Sequence, residues 1–222
     1  MKAVIFDFDG TLTEKRGNLW RNIWNMLGYD TGSDSYYASL YKNFINGKIT
    51  HKEWCDLTCE AFKNKEFSLD DFDNAISNIK LMDGLKELFE KLYNNGIEIH
   101  IVSGNIIYAI EKSLGENKRF VTKINANKFV FDEQGVIKEI IGTKYDYEGK
   151  AKYVEQLMQI NNFTKEDILF IGNSSNDEWV HETGIGTVCF NPDQTKSENR
   201  KIWNKVVLSD NLIDLEDYIY EL

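Results

Sequence analysis

Residues 3–13 read Ala-Val-Ile-Phe-Asp-Phe-Asp-Gly-Thr-Leu-Thr and join a short apolar run directly to two carboxylates, Asp7 and Asp9. An apolar run of this length that ends in turn-forming residues is typical of a buried β-strand. Alternate side chains of a strand share a face, so Asp7 and Asp9 are expected to converge where the strand ends. Gly10 permits a tight turn at that point, and Thr11 adds a hydroxyl group. The stretch therefore predicts a nucleophile, an acid or base, and a metal ligand within one turn.

The two neighbouring carboxylates narrow the chemistry of this stretch. Because like charges repel, such a pair is expected to hold a cation or to divide into one acid and one base. A charged surface turn after the strand is the plainer interpretation. An EF-hand calcium loop would need a preceding helix and a bidentate acid at its twelfth position. Phe8 and Leu12 interrupt that pattern.

Length and composition limit the classes of protein to consider. The 222 residues, of which 42% are hydrophobic, suffice for one large domain or for a core domain with a smaller inserted one. A formal net charge of −10 argues against nucleic acid as a partner, because such binding depends on clustered Lys and Arg. An odd count of three cysteines, no signal peptide and no apolar run of roughly 20 residues predict a cytoplasmic protein that does not engage a membrane. The oligomeric state stays open.

Between about residues 17 and 80, apolar side chains recur with the period of an α-helix. Four consecutive amphipathic helices are predicted there. Thr50 followed by Glu53 forms a capping-box pattern at the start of the third helix, and Ser68 is the expected N-cap of the fourth. Because no strand interrupts them, the four helices predict a small bundle.

After Met82 the pattern alternates between strands and helices. Strands are predicted over residues 97–102, 168–171 and 187–190, with a hairpin formed by residues 128–132 and 136–140. Helices are predicted to end at Gly96 and to cover residues 106–114 and 151–160. This alternation is typical of an α/β fold, in which helices cover both faces of a parallel sheet.

Polar residues follow the predicted strands at the edge where α/β sheets bind ligands, beyond the carboxyl ends of the strands. Residues 103–105, Ser-Gly-Asn, are expected to open a helix whose free amides bind an anion. Residues 172–177, Gly-Asn-Ser-Ser-Asn-Asp, supply oxygen ligands suited to a hard cation. Taken singly, the first run reads equally well as a helix cap and the second as a polar turn. Lys150 opens the helix that leads to the second run, and a single lysine is usually a solvated surface residue.

Taken together and in order, these residues resemble the four motifs of the haloacid dehalogenase superfamily, in its phosphatase branch. The motifs correspond to residues 7–11, Ser103, Lys150 and residues 172–177. The resemblance covers residues 1–13 and about 82–195. The helical segment between the first two motifs is similar to the type 1 cap of phosphoserine-phosphatase-like members. The resemblance implies a Rossmann-like core domain of residues 1–13 and 82–222 and a helical cap domain of residues 14–81.

The resemblance also implies an activity, a cofactor and a set of site residues. The activity is Mg²⁺-dependent hydrolysis of a small phosphorylated metabolite through an aspartyl-phosphate, in a site between core and cap. Asp7 would be the nucleophile and Asp9 the general acid and base. The implied phosphate-binding residues are Thr11, Ser103, Gly104 and Lys150. The implied metal ligands are Asp7, Asp9, Asn173 and Asp177.

The chain departs from the family's pattern at two positions. Asn173 stands where the family has a metal-ligating aspartate, and an amide oxygen brings no charge, so weaker metal binding is expected. Arg16 stands nine residues after Asp7, where phosphoserine phosphatases carry a glutamate for the substrate ammonium, although Glu14 is near. As a substrate contact, Arg16 would suit a carboxylate, hydroxyl groups or a second phosphate. A solvated arginine is the plainer interpretation.

Two further functions stay open beside the phosphatase. A phosphomutase or other phosphotransferase of the same superfamily would share Asp7 and Asp9 but pass the phosphoryl group to a sugar. A catalytically weakened binding or regulatory protein would account for Asn173, although the other motif residues remain.

The sequence indicates the positions of the aromatic and histidine side chains less directly. At helical spacing, the aromatic residues of the bundle are expected mostly in its core, and the alternative is a pocket wall of the kind that binds choline-like cations. These residues are Trp20, Trp24, Tyr36, Tyr37, Tyr41 and Trp54. The histidines show no metal-ligand spacing. His100 is expected to be packed in its strand, with His51 and His181 exposed.

Overall fold

A computed structural model of the chain describes residues 1–14, 18–192 and 202–221. The strands are β1 (Ala3–Phe6), β2 (Glu98–Ile106), β3 (Lys123–Phe131), β4 (Ile137–Ile141), β5 (Ile168–Gly172), β6 (Gly186–Phe190) and β7 (Lys205–Val207). The α-helices are α1 (Leu19–Met26), α2 (Tyr36–Ile45), α3 (His51–Lys63), α4 (Leu69–Ile76), α5 (Leu85–Asn94), α6 (Ile107–Leu114), α7 (Glu148–Asn161) and α8 (Glu216–Glu221). No helix in the described part of the chain is both long and apolar enough to cross a bilayer.

β1 lies at the centre of a seven-stranded sheet of order β4-β3-β2-β1-β5-β6-β7. It pairs in parallel with β2 and β5, so Phe6 lies between Ile101 and Ile171. The β3–β4 pair is antiparallel, as the predicted hairpin requires, and the other neighbouring strands are parallel. The carboxyl ends of β1, β2 and β5 therefore meet at the same edge of the sheet.

Helices cover both faces of this sheet. On one face, Phe6 and Ile101 pack with Phe89 of α5. On the other, Ile5 packs with Val154 of α7. All four residues of β1 are 0% exposed, as expected for a strand covered on both faces. The predicted α/β fold is confirmed.

Residues 14–81, called the insert below, contain α1 to α4, as the sequence predicts. Both predicted helix starts are confirmed. Thr50 and Ser68 accept hydrogen bonds from the amides of Glu53 and Asp71, and each of these acids accepts one from the cap amide. The apolar faces of the insert pack against Phe129 of β3 and against β4, so the insert lies over the antiparallel edge of the sheet.

Two chain segments connect the insert to the sheet side by side. The amide of Glu14 donates to the Lys80 carbonyl at 3.0 Å, and the amide of Met82 donates to the Leu12 carbonyl at 2.9 Å. These paired segments lie where the sequence analysis puts the boundaries of the cap domain. The division into two domains stays a prediction.

β2 is longer than the sequence predicts. The strand continues to Ile106, and its pairing with β3 shifts register between Val102 and Ile106. α6 begins at Ile107, with Ile106 as its N-cap. The prediction that residues 103–105 open a helix is therefore wrong. The extra residues form a bulge, which re-aims side chains and here turns residues 103–105 toward the loop after β1.

His100 is buried within the sheet, as predicted. Its side chain lies on the face covered by α7, and only 3% of the residue is exposed. The imidazole contacts the Tyr153 hydroxyl at 2.7 Å and Glu98 Oε2 at 2.9 Å. Burial lowers the pKa of His100, and the hydrogen bond with Glu98 opposes that effect only in part. The folded protein therefore favours a neutral imidazole.

Acid should destabilise the protein in part through His100. Because the pKa of His100 is lower in the folded state, the unfolded chain binds the proton first as the pH falls below about 6.5. The free energy of unfolding of His100→Gln should therefore decline less between about pH 7 and about pH 5 than that of the wild type. Urea denaturation at both pH values measures the difference. His181→Gln, at an exposed position, is the control, and an identical decline in all three proteins would contradict the prediction.

Candidate active site

Side chains from three strand ends and one helix meet at the carboxyl edge of the sheet, around a cavity of about 680 Å³. The predicted site residues that line the cavity are Asp7, Asp9, Ser103, Gly104 and Asn173. Those that are buried without lining it are Thr11, Lys150 and Asp177. Arg16 lies outside the described residues. Its contact with the substrate stays a prediction.

Lys150 of α7 joins the loops that follow β1 and β5. Its ammonium Nζ lies 2.7 Å from Asp7 Oδ1 and 2.5 Å from Asp177 Oδ1, and its side chain is 0% exposed. Asp177 Oδ2 accepts hydrogen bonds from the amides of Asn173 and Ser174, both at 3.0 Å. Both oxygens of Asp177 are thus engaged in holding the loop after β5. The role of Asp177 as a metal ligand stays a prediction.

The charges of this buried group are strongly coupled. Burial opposes the charge of Lys150, but the carboxylates of Asp177 and Asp7 outweigh that effect and raise the pKa of Lys150. Lys150 therefore stays a cation. Burial raises the pKa of Asp7 well above its usual value, because the attraction of Lys150 offsets the desolvation only in part and the carboxylates of Asp177 and Asp9 add repulsion. The ammonium group opposes the protonation of Asp7, and a cation bound in the cavity would oppose it further.

Asp9 has a different setting. Its side chain is exposed to the cavity, and within the described residues only Asn105 donates hydrogen bonds to it. Desolvation raises the pKa of Asp9 to about 6, and the hydrogen bonds from Asn105 oppose that rise only in part. A carboxyl group with that pKa exchanges a proton near neutral pH, as general acid–base catalysis requires.

The cavity offers oxygen ligands for a hard cation. Asn173 Oδ1 is buried and has no hydrogen-bond partner within the described residues. Buried acceptors are nearly always satisfied, so an orphaned one in the same cavity as Asp7 and Asp9 fits a cation such as Mg²⁺. Across the described ranges, no three His, Cys, Asp or Glu side chains form a metal cluster. The cation would therefore have two carboxylates and an amide oxygen as ligands.

Two threonine hydroxyls lie in the loop after β1, in different settings. Thr11 Oγ1 is buried and has no hydrogen-bond partner in the described part of the chain. Thr13 lines the cavity, and its hydroxyl accepts from the Gly10 amide at 3.1 Å and donates to the Phe8 carbonyl at 3.4 Å. The phosphate contact of Thr11 stays a prediction.

Asp146 also lines the cavity, and it is not among the site residues predicted from the sequence. Asn176 belongs to the polar run of residues 172–177 and donates to Asp146 Oδ1 at 3.4 Å. An added Cβ at Gly104 would lie 2.5 Å from Asp146 Oδ2, so glycine is what allows this close approach. Asp146 belongs to the irregular loop between β4 and α7, where no periodic pattern or motif marks it.

Aromatic side chains of the insert form one wall of the cavity. Those that line it are Trp20, Tyr37, Tyr41, Phe44 and Trp54. Trp20 and Trp54 also belong to the apolar cluster of the insert, so core packing and a place in the pocket wall are not exclusive. The indole Nε1 of Trp20 donates to the Gly104 carbonyl at 3.0 Å, and the hydroxyls of Tyr41 and Tyr147 lie 2.7 Å apart. Both contacts connect the insert to the core.

His51 is half-buried in this wall, so the prediction that it is exposed is wrong. Its ring stacks on Trp54, with centroids 5.8 Å apart, and lies 5.3 Å from the ring of Phe44. Burial lowers the pKa of His51. The imidazole is therefore a neutral part of the wall at neutral pH.

The chain is similar to one hydrolase family and to curated phosphoserine phosphatases. The model of the haloacid dehalogenase-like hydrolase family matches residues 1–179. A phosphoserine phosphatase from Archaeoglobus fulgidus is 24% identical over 218 residues, which cover 96% of this chain and 58% of that protein. The chain thus spans less than two thirds of that relative. A phosphoserine phosphatase from Methanocaldococcus jannaschii is 22% identical over 179 residues, which cover 79% of each chain.

Solved structures share the fold over nearly the whole chain. A substrate-bound phosphoserine phosphatase complex has a TM-score of 0.74 at 19% identity and covers 98% of both chains. A phospho-aspartyl intermediate analogue of phosphoserine phosphatase has a TM-score of 0.73 with the same identity and coverage. At this level of identity the likeness supports the fold alone.

Removing the buried ammonium group should strongly destabilise the protein. Lys150→Met leaves the carboxylates of Asp7 and Asp177 buried without a counter-charge, which typically costs about 3–5 kcal/mol. Urea denaturation at neutral pH measures the loss. Lys152→Met, on the same helix with a side chain that is 61% exposed, is the matched control and should change stability by less than about 0.5 kcal/mol. Equal losses in the two variants would mean that the buried carboxylates do not depend on Lys150.

Proposed function

Because the chain belongs to the haloacid dehalogenase-like hydrolase family, we propose that it is a Mg²⁺-dependent phosphatase acting on a small phosphomonoester. One observation carries the proposal: a carboxylate held by a buried ammonium, Asp7, shares a cavity with a proton-exchanging carboxyl group, Asp9. The first suits nucleophilic attack, and the second suits proton transfer. The curated phosphoserine phosphatases support the same reaction class.

In the first step, the free Oδ2 of Asp7 attacks phosphorus, because Oδ1 is held by Lys150. The ester P–O bond breaks, and the leaving oxygen takes the proton of Asp9. In the second step, water attacks phosphorus, Asp9 accepts its proton, and the bond between Asp7 and phosphorus breaks. Free phosphate is released, and both carboxyl groups return to their starting states.

The remaining polar groups hold the phosphoryl oxygens. Lys150 lies beneath the cavity and uses two of its three N–H donors on carboxylates, so its phosphate contact stays a prediction that needs the third donor to reach the cavity. Ser103 and Gly104 face the same cavity. When bound, Mg²⁺ neutralises charge that develops on the phosphoryl group. Asp7 and Asn173 would hold it, with Asp177 fixing the loop that carries Asn173; because Asp9 must carry the proton, its part as a metal ligand stays a prediction.

The substrate is best sought with a panel of phosphorylated metabolites that includes a generic aryl phosphate. Phosphoserine belongs in the panel because the curated relatives are phosphoserine phosphatases and because Glu14 lines the cavity as an acidic group. Sugar phosphates, offered with and without a free sugar acceptor, separate hydrolysis from phosphoryl transfer. Transfer to the sugar would replace the proposed phosphatase by a phosphotransferase, and no turnover of any ester would favour a binding protein.

Replacing the nucleophile should abolish turnover. Asp7→Asn keeps the shape of the side chain but removes the attacking oxyanion, so the rate on the best ester should fall by at least about 10³-fold. Circular dichroism checks that the variant is folded. Asp30→Asn, the same substitution at an exposed position of the insert, should keep the wild-type rate. Retained activity of Asp7→Asn, or no capture of beryllofluoride by the wild type, would refute the assignment of Asp7.

Restoring an acid at position 173 should strengthen metal binding. Asn173→Asp adds a charge to the ligand set, so the Mg²⁺ concentration that gives half-maximal turnover should fall by about tenfold. Titration of the rate with Mg²⁺ measures this. Asn161→Asp adds the same charge at the exposed end of α7 and should leave the titration unchanged. A wild-type titration curve for Asn173→Asp would mean that Asn173 is not a ligand.

A further inference from the structure

Asn105 contacts both carboxylate oxygens of Asp9. Its amide Nδ2 lies 2.9 Å from Asp9 Oδ1 and 3.0 Å from Asp9 Oδ2. Asn105 is 1% exposed, whereas the Asp9 side chain is exposed to the cavity. A carboxyl group in such a setting can rotate unless a neighbour holds it. Within the described residues, Asn105 is the side chain that does so.

The orientation of the Asn105 amide is fixed by its other contacts. Asn105 Oδ1 accepts a hydrogen bond from the Ile106 amide at 2.6 Å, so Nδ2 is the end that points at Asp9. The Asn105 backbone amide donates to Ser103 Oγ at 3.1 Å. The register shift of β2 lies between Val102 and Ile106 and turns this segment toward the loop after β1. The donor is therefore preorganised by the bulge.

We infer that Asn105 is a positioning residue that holds Asp9 in line with the leaving oxygen of the ester. The inference rests on the proposed phosphatase function and adds a residue to its machinery. When the ester P–O bond breaks, its electron pair goes to the leaving oxygen, which takes the proton from one oxygen of Asp9. Asn105 donates to the other oxygen and to the carboxylate that remains. Because Nδ2 lies within hydrogen-bond distance of both oxygens, it can donate to whichever oxygen does not carry the proton.

This role predicts a dependence on the leaving group. An alkyl phosphate releases a strongly basic alkoxide and needs a well-placed proton donor, whereas an aryl phosphate releases a weakly basic phenolate and needs it little. Loss of Asn105 should therefore slow alkyl esters far more than aryl esters. Because Asp9 also serves the later hydrolysis step, which is the same for both esters, the rates are compared as kcat/KM, which reports only the steps up to departure of the leaving group. A merely structural role would slow both esters alike.

Asn105→Ala tests the inference, with p-nitrophenyl phosphate and the best alkyl phosphate of the panel as substrates. We expect kcat/KM to fall by about 10²-fold on the alkyl ester and by less than about threefold on the aryl ester. Asn127→Ala is the matched control. Asn127 is also 1% exposed and also lines the cavity, but it binds the Gly104 carbonyl and the Thr143 amide instead of Asp9. Its substitution should leave the ratio of the two rates unchanged.

A second variant keeps the test decisive if Asn105→Ala does not fold. Asn105→Asp preserves the shape and the acceptor for Ile106 but replaces the donor to Asp9 by an oxygen, so it should show the same selective loss. Equal losses on both esters in a folded variant would overturn the inference and leave the phosphatase function standing. A wild type that cleaves neither ester would overturn the proposed function and the inference with it.

Discussion

The buried ammonium of Lys150 is the constraint on which the rest of the site depends. A desolvated lysine is tolerated only when carboxylates surround it, and Asp7 and Asp177 provide them from the ends of β1 and β5. One cation thereby fixes two loops that are far apart in the sequence. It selects the Asp7 oxygen that stays free, and through Asp177 it holds the loop that presents Asn173 to the cavity. The order of the strands makes this possible, because β1 and β5 are adjacent and parallel.

Asp7 and Asp9 are two residues apart in the chain, but they differ in exposure and in hydrogen-bond partners. Asp7 is 4% exposed and binds the ammonium of Lys150, whereas Asp9 faces the cavity and binds the neutral amide of Asn105. A locked carboxylate is suited to attack along one direction. A carboxyl group held by an amide keeps the freedom to gain and lose a proton. The chain leaves the strand after Phe6 and turns at Asp9, so the two carboxyl groups have different neighbours, and the end of β2 supplies the amide.

The insert contributes the other half of the cavity. Its wall is aromatic and is connected to the core by two hydrogen bonds, from Trp20 to Gly104 and between Tyr41 and Tyr147. Tyr147 lies three residues before Lys150, and its backbone φ of 49° is one that L side chains rarely adopt. The wall and the buried cation are therefore linked through one short segment of chain. Contacts of this kind tie the shape of the cavity to the position of the insert.

The sequence by itself determined most of the helices and strands, the α/β class and most of the residues that meet at the carboxyl edge. Strand and helix periods, capping boxes and the run from Asp7 to Thr11 are local features, and local backbone physics fixes them. The sequence did not determine which surfaces of these helices and strands pack together. Residues 103–105 remain in β2 because Ile106 pairs with Asn127, and His51 is covered because Phe44 and Trp54 pack beside it. The contact of Asn105 with Asp9 has the same origin. It spans 96 residues of chain, and only the packing of separate strand ends brings such partners together.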